Sequence, residues 1–592
     1  MRRVPLRKGL ALCPAFPERT TTAGRYDPTT CPPPPPALPR RILQDDGPDV
    51  CLLYSGKSSV VLNGRHVTPP AVKVDGVLAT ISSARLDLDA LVRLDTEGLL
   101  TGILDVIRSE KAFVAAMLPE AAAALKVDRV LSRGTSRHML KHWDRLVEWG
   151  VMSRAESQRV VLAAFTVEKR SGGLRLVCDG RKLNRLMRAP PTMLLPSIRS
   201  VISKFLSANW VIDADGVSWF YQFPLADGVD DFFGVNLAGE RGPYVRAKLR
   251  SLCMGWSWAP CIAHRAACVL LPEADGVAYV DNFWATGRTQ EETLQRYRAF
   301  QDRCASVGAD VKEGSGGMPQ SRFTALGLEF NLEARPHRYR SEPAWTQKFL
   351  SSPALLHALA NTASAREFYK AFGGMIWFLY STGRKLCYHR SALAFLRRCA
   401  SALVSSPEKW DMPLPICSSV LSDFSSIVAM IRRNEWIEEP ASQPTVVGWS
   451  DASDAEWAAL LELTPLEPVV QGVFDIPDKH HIYVKELFGA WQAVRLAAAT
   501  APGCALDLKV DNAAAVAAIN KGHSKNFFAN DLLCAMFDTA AAADVRVSST
   551  WVDTDSQRAD EYTRGVRAPF CNATLPPVPD RYAEVGAMSS AR

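Results

Sequence analysis

From residue 160 onward, short apolar runs of strand length alternate with apolar stripes of helical period. Residues 160–335 predict alternating strands and helices. Residues 343–440 predict mostly helix, because Phe368, Phe372, Ile376, Phe378 and Leu379 make one apolar stripe. A second α/β block runs from near Thr445 to near Gly565. Ahead of these, Leu140, Trp143, Leu146, Val147 and Trp149 predict an amphipathic helix over Leu140–Met152. Residues 44–135 are mixed and give no assignment. Residues 1–43 contain ten prolines, including the run Pro32 to Pro36, and predict a disordered, polyproline-like arm. The tail 567–592, with Pro576, Pro577 and Pro579, reads as loose.

Composition narrows this picture. A chain of 592 residues with 47% apolar and 22% charged residues has room for several globular domains. The net charge of +7 is concentrated: residues 1–43 carry eight Arg/Lys against two Asp/Glu, so the remainder is nearly balanced. Phosphate binding therefore needs a local basic groove rather than a global field. The fourteen cysteines form no Cys-x-x-Cys pair, which argues against a zinc knuckle and for free thiols in a reducing compartment. No apolar run reaches the ~18 residues of a membrane span, so no membrane partner is expected. The opening MRRVPLRKGL lacks the apolar core of a secretory signal; a mitochondrial transit peptide is a lesser alternative to a basic arm.

Two acidic constellations carry the chemistry. In the first, VIDADGVSWFYQFPL (211–225) delivers Asp215 to a strand end, with Phe220 and Tyr221 following. AYVDNFWA (278–285) is a short apolar hairpin with Asp281 at its turn. Acids on a strand and on a neighbouring hairpin are how a polymerase palm holds two Mg²⁺ ions about 4 Å apart, which bind the attacking and leaving oxygens. The segment resembles reverse transcriptases, in several motifs and in their order. Residues 164–184, AFTVEKRSGGLRLVCDGRKLN, are similar to the fingers segment, with Asp179, Arg181 and Asn184 filling its D-x-R-x-L-N run. By that match Lys169 and Arg175 would neutralise the incoming triphosphate. Gln222 and Pro224 give the family's Gln-x-Pro. LCMGWSWAP (252–260) resembles the segment beside template and nucleotide, with Gly255 and Pro260 matching. YVDN (279–282) resembles the Y-x-D-D box, and Lys312 with LGLEF (326–330) resembles the family's segments C-terminal to that box. Asp213 competes with Asp215 as the metal ligand. The fifth residue after Asp215 is Phe220, whose ring would exclude a 2′-hydroxyl and favour dNTPs; the fifth after Asp213 is Ser218, which could not. Asp215 is therefore the better match. Asn282 departs from the family, which has a second aspartate there; its amide donates where a carboxylate accepts.

In the second constellation, VVGWSDASDAEWAALL (446–461) ends a strand at Asp451, and VKELFGAWQAVRLAAA (484–499) is an apolar helix with Glu486 near its start. LDLKVDNAAAVAAI (506–519) puts Asp511 at a strand end, and VRVSSTWVDTDSQRADEYTR (545–564) leads into a helix containing Asp560. The block resembles retroelement ribonuclease H domains, whose W-V-x₆-A-D-x-x-x-R ending is present as Trp551, Val552, Ala559, Asp560 and Arg564. By that resemblance Asp451, Glu486, Asp511 and Asp560 would hold two metal ions that activate water. Simpler readings stand beside each: a helix-start acid for Glu486, an N-cap for Asp511, a surface acid for Asp560 with Glu561 as its rival. His523 reads as a solvated loop imidazole rather than a site residue.

Together these imply an α/β (α+β) multidomain chain: a basic arm (1–43), an unassigned region (44–135), fingers and palm (136–335), a helical thumb or connection (336–440), an RNase H-like domain (441–566) and a tail. Arg366, Lys370, Arg384 and Lys385 could track a duplex backbone, although basic helix residues are usually just solvated; Trp345 and Trp377 read as core. The palm and the RNase H ending are most similar to DIRS-like elements of the VIPER group, within the LTR-type retroelements. The implied activity is RNA-directed DNA polymerase with ribonuclease H, using Mg²⁺ (Mn²⁺ as a substitute), an RNA template, a DNA primer, the RNA/DNA hybrid and dNTPs, in the cytoplasm or nucleus. A separately encoded recombinase or integrase is the further partner this implies. The alternatives are a degenerate nucleic-acid-binding scaffold and a nuclease with an inert palm.

Overall fold

The computed structural model describes residues 60–62, 65–67, 77–124, 136–137, 139–168, 173–193, 195–238, 244–405, 407–438, 443–465, 467–476, 480–567 and 575–591. The arm 1–43 and Lys169 lie outside them. The described residues divide into two compact units, one within Pro70–Tyr339 and one that joins 60–62 and 65–67 to those within Arg340–Arg592.

In the first unit one sheet has the strand order β1 (Met152–Arg154), β6 (Tyr244–Leu249), β5 (Gly234–Ala238), β2 (Val161–Glu168) and β3 (Leu174–Asp179). A second sheet runs β7 (Gly276–Tyr279), β8 (Asn282–Gly287), β4 (Trp210–Gly216) and β9 (Val311–Glu313), each pair antiparallel. Helices α1 (Ile198–Leu206), α2 (Ala259–Leu270) and α3 (Gln290–Ser306) belong to the same unit. From Ile212 to Gly216 the β4 sequence alternates as the pleat requires: Ile212, Ala214 and Gly216 are buried, while Asp213 is half-buried and Asp215 exposed. An aromatic cluster supports β4 and β8: Trp219 meets Phe223 and Phe283 edge-on, and Phe283 packs on Phe300 of α3. This is the palm architecture that the sequence resemblance implies.

Two local expectations change. The helix expected over 140–152 is a 3₁₀ turn and a short helix, Trp143–Glu148, because Gly150 turns the chain at φ +63° into β1. The unassigned region supplies four short helices, Leu88–Leu94, Asp105–Arg108, Glu110–Ala115 and Pro119–Ala124. They bury Leu91, Ile107 and Phe113 in the same core as the palm.

In the second unit, α4 (Ala365–Ser381), α5 (Arg390–Ser405) and α6 (Ser418–Arg433) pack around Phe368, Phe372, Phe395 and Phe424. A Ser364/Glu367 capping box starts α4. Trp345 and Trp377 pack together with ring centroids 4.6 Å apart, against this core. The following sheet is built from β10 (Thr445–Ala452), β11 (Glu456–Leu461), β12 (Val469–Phe474), β13 (Ala505–Val510), β14 (Arg546–Trp551) and β15 (Ser589–Ala591). Its spatial order is β14-β13-β10-β11-β12-β15. Strands β10, β11 and β12 are antiparallel neighbours, whereas β13 and β14 are added in parallel. Strand order 3-2-1-4-5 with this mixture of directions is the RNase H-like topology. Helices α7 (Ile482–Thr500), α8 (Ala513–Lys521) and α9 (Phe527–Ala542) bury the apolar core of this sheet, and α10 (Asp560–Thr563) follows β14.

Residues 575–591 of the tail are not loose. Strand β15 pairs antiparallel with β12, Tyr582, Val585 and Met588 are buried, and the Arg495 guanidinium donates to the Pro576 carbonyl. Pairing a sheet edge satisfies backbone groups that would otherwise face water, which a reading of the Pro-rich stretch alone does not reveal. The helical segment and the RNase H-like sheet also share one compact unit. The Cys387 amide donates to Gly522 at 2.8 Å, Tyr388 to Asp538 at 2.7 Å, and Arg390 to Asp531. No helix among the described residues is long and apolar enough to cross a membrane.

Candidate active sites

The first site forms where the β7–β8 hairpin meets β4. Asn282 pairs opposite Asp215 on one side and Lys312 pairs opposite it on the other. Directly opposed residues share a face of the sheet, so Asp215 sits between an amide and an ammonium. Asp281 occupies the adjoining two-residue turn, and its carbonyl accepts the Gly216 amide at 2.7 Å. The acid-bearing turn is thus bound to the strand that carries the other acid. Burial raises the Asp281 carboxyl above the ordinary range, and the Arg175 charge pulls it back. The Asn282 Nδ2 donates to Asp281 Oδ1 at 3.1 Å.

Asp213, two residues back on the same face, is used differently. Its Oδ1 accepts the Ser315 hydroxyl at 2.6 Å and its carbonyl accepts the Gly314 amide. A Cβ on Gly314 would lie 1.9 Å from the Asp213 carboxylate, so that turn is built against it. Trp219 and Tyr221 are buried on either side of the half-buried Phe220. Lys312 and Arg175 are exposed.

Several motif residues prove to be braces. Gln222 is fully buried; it donates to the carbonyls of Val217 and Asp310 and accepts the Asp310 amide, tying the loop after β4 to the approach of β9. Gly255 has φ +118°, and a Cβ there would lie 1.9 Å from the Cys178 carbonyl. Asn184 clamps the same loop, donating to the Gly255 carbonyl at 3.1 Å and accepting the Ser257 amide at 2.9 Å. Arg181 makes a two-pronged pair with Asp179 at 2.6 and 2.8 Å. Lys169 lies outside the described residues.

The second site is more compact. Oxygens of Asp451, Glu486 and Asp511 all lie within 4.8 Å of one another. Asp451 projects from the end of β10, Glu486 from the second turn of α7, and Asp511 follows β13 directly. Helix α7 can approach β10 because it carries Gly489, whose missing Cβ would stand 3.1 Å from the Asp451 carbonyl. The N-cap of α8 is Asn512, which accepts the amides of Ala514 and Ala515, so Asp511 is left to the cluster. Thr554 donates to Asp511 Oδ2 at 3.1 Å and the Trp551 indole donates to the Asp511 carbonyl at 2.8 Å.

Burial and the two neighbouring carboxylates push Glu486 up to about 9. Burial, then the Asp511 and Asp560 charges, raise Asp451, which the Thr563 hydroxyl at 2.5 Å partly offsets. Asp560 stands outside the three-acid cluster and pairs with Arg564 at 2.8 Å. The buried Oε2 of Glu486 has no hydrogen-bond partner among the described residues. Three crowded oxygen donors, one of them buried and unsatisfied, suit a hard divalent cation.

Sequence reasoning missed Gln557, which is buried and donates to the Ser450 carbonyl at 3.0 Å, pinning the loop before α10 to β10. It also misjudged His523, which is only 7% exposed. Of the basic residues that could track a duplex or simply be solvated, Arg366 is bound to Asp411 at 2.7 Å, Arg384 lies 3.6 Å from Glu435, and Lys385 lies over the Phe537 ring. All ten described cysteines are free.

No family model matches the sequence, and no curated protein matches it. Among solved structures the chain is similar to the foamy viral protease-reverse transcriptase. The complex with RNA/DNA hybrid aligns with TM-score 0.43 and 13% identity over 88% of this chain and 72% of that one. A dRH form in complex with double-stranded DNA gives TM-score 0.44 and 13% identity, over 84% and 90%. Strand order and register within each unit carry the fold.

Proposed function

We propose that this chain is an RNA-directed DNA polymerase with ribonuclease H activity, serving an LTR-type retroelement of the DIRS-like, VIPER-related kind. What supports the reading is one chain that holds both a hairpin pairing Asn282 opposite Asp215, with Asp281 at its turn, and a cluster of Asp451, Glu486 and Asp511. The subgroup rests on the resemblance of the palm segments and of the Trp551 to Arg564 ending. Residues 136–335 would act as fingers and palm, 336–440 as thumb or connection, and 441–566 as the nuclease.

Asp215 and Asp281 would hold Mg²⁺ in the palm, with Asp451, Glu486, Asp511 and Asp560 doing so in the nuclease. The cation supplies charge stabilisation at the attacking and leaving oxygens. Asp560 accepts from Arg564 through Oδ1, which leaves Oδ2 as the oxygen it would offer the cation. Arg175, Lys169 and Lys312 would offset phosphate charge, Gly255 would let the loop approach the nucleotide, and the half-buried Phe220 ring would press on the sugar and reject a 2′-hydroxyl. The partners are a primed RNA template, the RNA/DNA hybrid and dNTPs, with a separately encoded recombinase or integrase acting later, in cytoplasm or nucleus.

A second reading, a nuclease or nucleic-acid scaffold with an inert palm, draws support from Asn282, whose amide already occupies Asp281 Oδ1. A primed, labelled RNA with dNTPs and Mg²⁺ decides: extension with RNA shortening fits the first reading, shortening alone the nuclease, and binding alone the scaffold.

A further inference from the structure

The hairpin turn that carries Asp281 is conformationally awkward. Tyr279 pairs with Asn282, so Val280 and Asp281 form a two-residue loop, and Val280 has φ +60°. Two-residue hairpin loops with positive φ at the first central position favour glycine or asparagine; a β-branched residue rarely adopts it. Something must hold the turn. The Val280 amide donates to Nδ1 of His264 at 3.3 Å. His264 lies on α2 and is fully buried. With Nδ1 accepting, the ring proton belongs on Nε2, which faces the Cys268 sulfur at 3.6 Å. The preceding residue of α2 does the matching task for the other acid: the Ala263 carbonyl accepts the Trp219 indole at 3.1 Å, anchoring the loop after Asp215. Consecutive residues of one helix therefore grip both acid-bearing segments.

We infer that His264 is a positioning residue for polymerisation, holding the Val280–Asp281 turn so that Asp281 stays registered against Asp215. This rests on the polymerase reading above. The test compares His264→Leu, which removes the acceptor, with His264→Asn, whose Oδ1 can replace Nδ1. The Leu variant should lose about 10²-fold in kcat for primer extension, as expected for a small misplacement of a reacting geometry, with the dNTP KM moving far less. RNA cleavage by the same preparation should be unchanged, and the Asn variant should recover most of the extension. Hydrogen exchange across 276–287 should quicken in the Leu variant and not in the Asn variant. In a Val280→Gly background, where positive φ carries no strain, His264→Leu should cost markedly less.

Extension and exchange both at wild-type levels in the Leu variant would overturn the inference. So would cleavage falling in step with extension, or an equal loss in the glycine background. A wild-type protein that extends no primer would instead sink the polymerase reading, while the exchange data would still decide whether His264 holds the turn.

Discussion

Glu486→Gln should make the metal-free protein more stable while abolishing cleavage of the hybrid. Glu486 is 4% exposed and crowded by Asp451 and Asp511, and its carboxyl is pushed from 4.5 up to about 9. A carboxyl whose folded pKa is raised contributes its full stability below the unfolded value. That contribution is lost progressively as pH rises from about 4.5 toward 9. At pH 7 the folded state has given up about two and a half pH units at ~1.4 kcal/mol each, on the order of 3 kcal/mol. Glutamine keeps the shape and removes the titration, so it should recover much of this. That would raise the unfolding midpoint by roughly 5–10 °C for a unit of this size. The assay is thermal unfolding of wild type and variant at pH 5 and pH 7, with and without Mg²⁺. The gap between the proteins should widen with pH, and Mg²⁺ should stabilise wild type far more than the variant. A variant that is less stable than wild type by the same amount at both pH values would refute the reasoning. It would make Glu486 an ordinary satisfied side chain.

Three further outcomes concern the palm and the tail. Asp281→Asn should lower primer extension by at least ~10²-fold, whereas Asn282→Asp should keep or raise it, read as steady-state incorporation. Phe220→Val should shrink the preference for dNTPs over rNTPs with little loss of dNTP incorporation, measured by paired kcat/KM values. Deleting residues after 574 removes β15 and the buried Tyr582, Val585 and Met588. It should cost several kcal/mol at about 1.5–3 kcal/mol per buried side chain, read by denaturant unfolding.

The acids were legible in the sequence because carboxylates for a metal sit at strand ends and helix starts, where a local pattern marks them; Asp451, Glu486, Asp511 and Asp215 all lie at such points. What was illegible depends on long-range contact. The helices of residues 88–124 are four to seven residues long, too short for a helical period to show, and gain their order from the palm core. The tail looked loose because Pro576, Pro577 and Pro579 cluster in it, yet its strand docks on an edge formed over a hundred residues earlier. Gln222 and Asn184 read as motif letters; only the fold shows that they brace loops. Arg366 read as a solvated base that could track a duplex, because its partner, Asp411, lies 45 residues away.

The most direct test of two separate chemistries in one chain is a paired knockout on a primed RNA template labelled at both strands. The account predicts that Asp281→Asn abolishes extension and leaves RNA shortening intact, while Asp451→Asn abolishes shortening and leaves extension intact. Loss of both activities in either variant, or of neither in both, would contradict it.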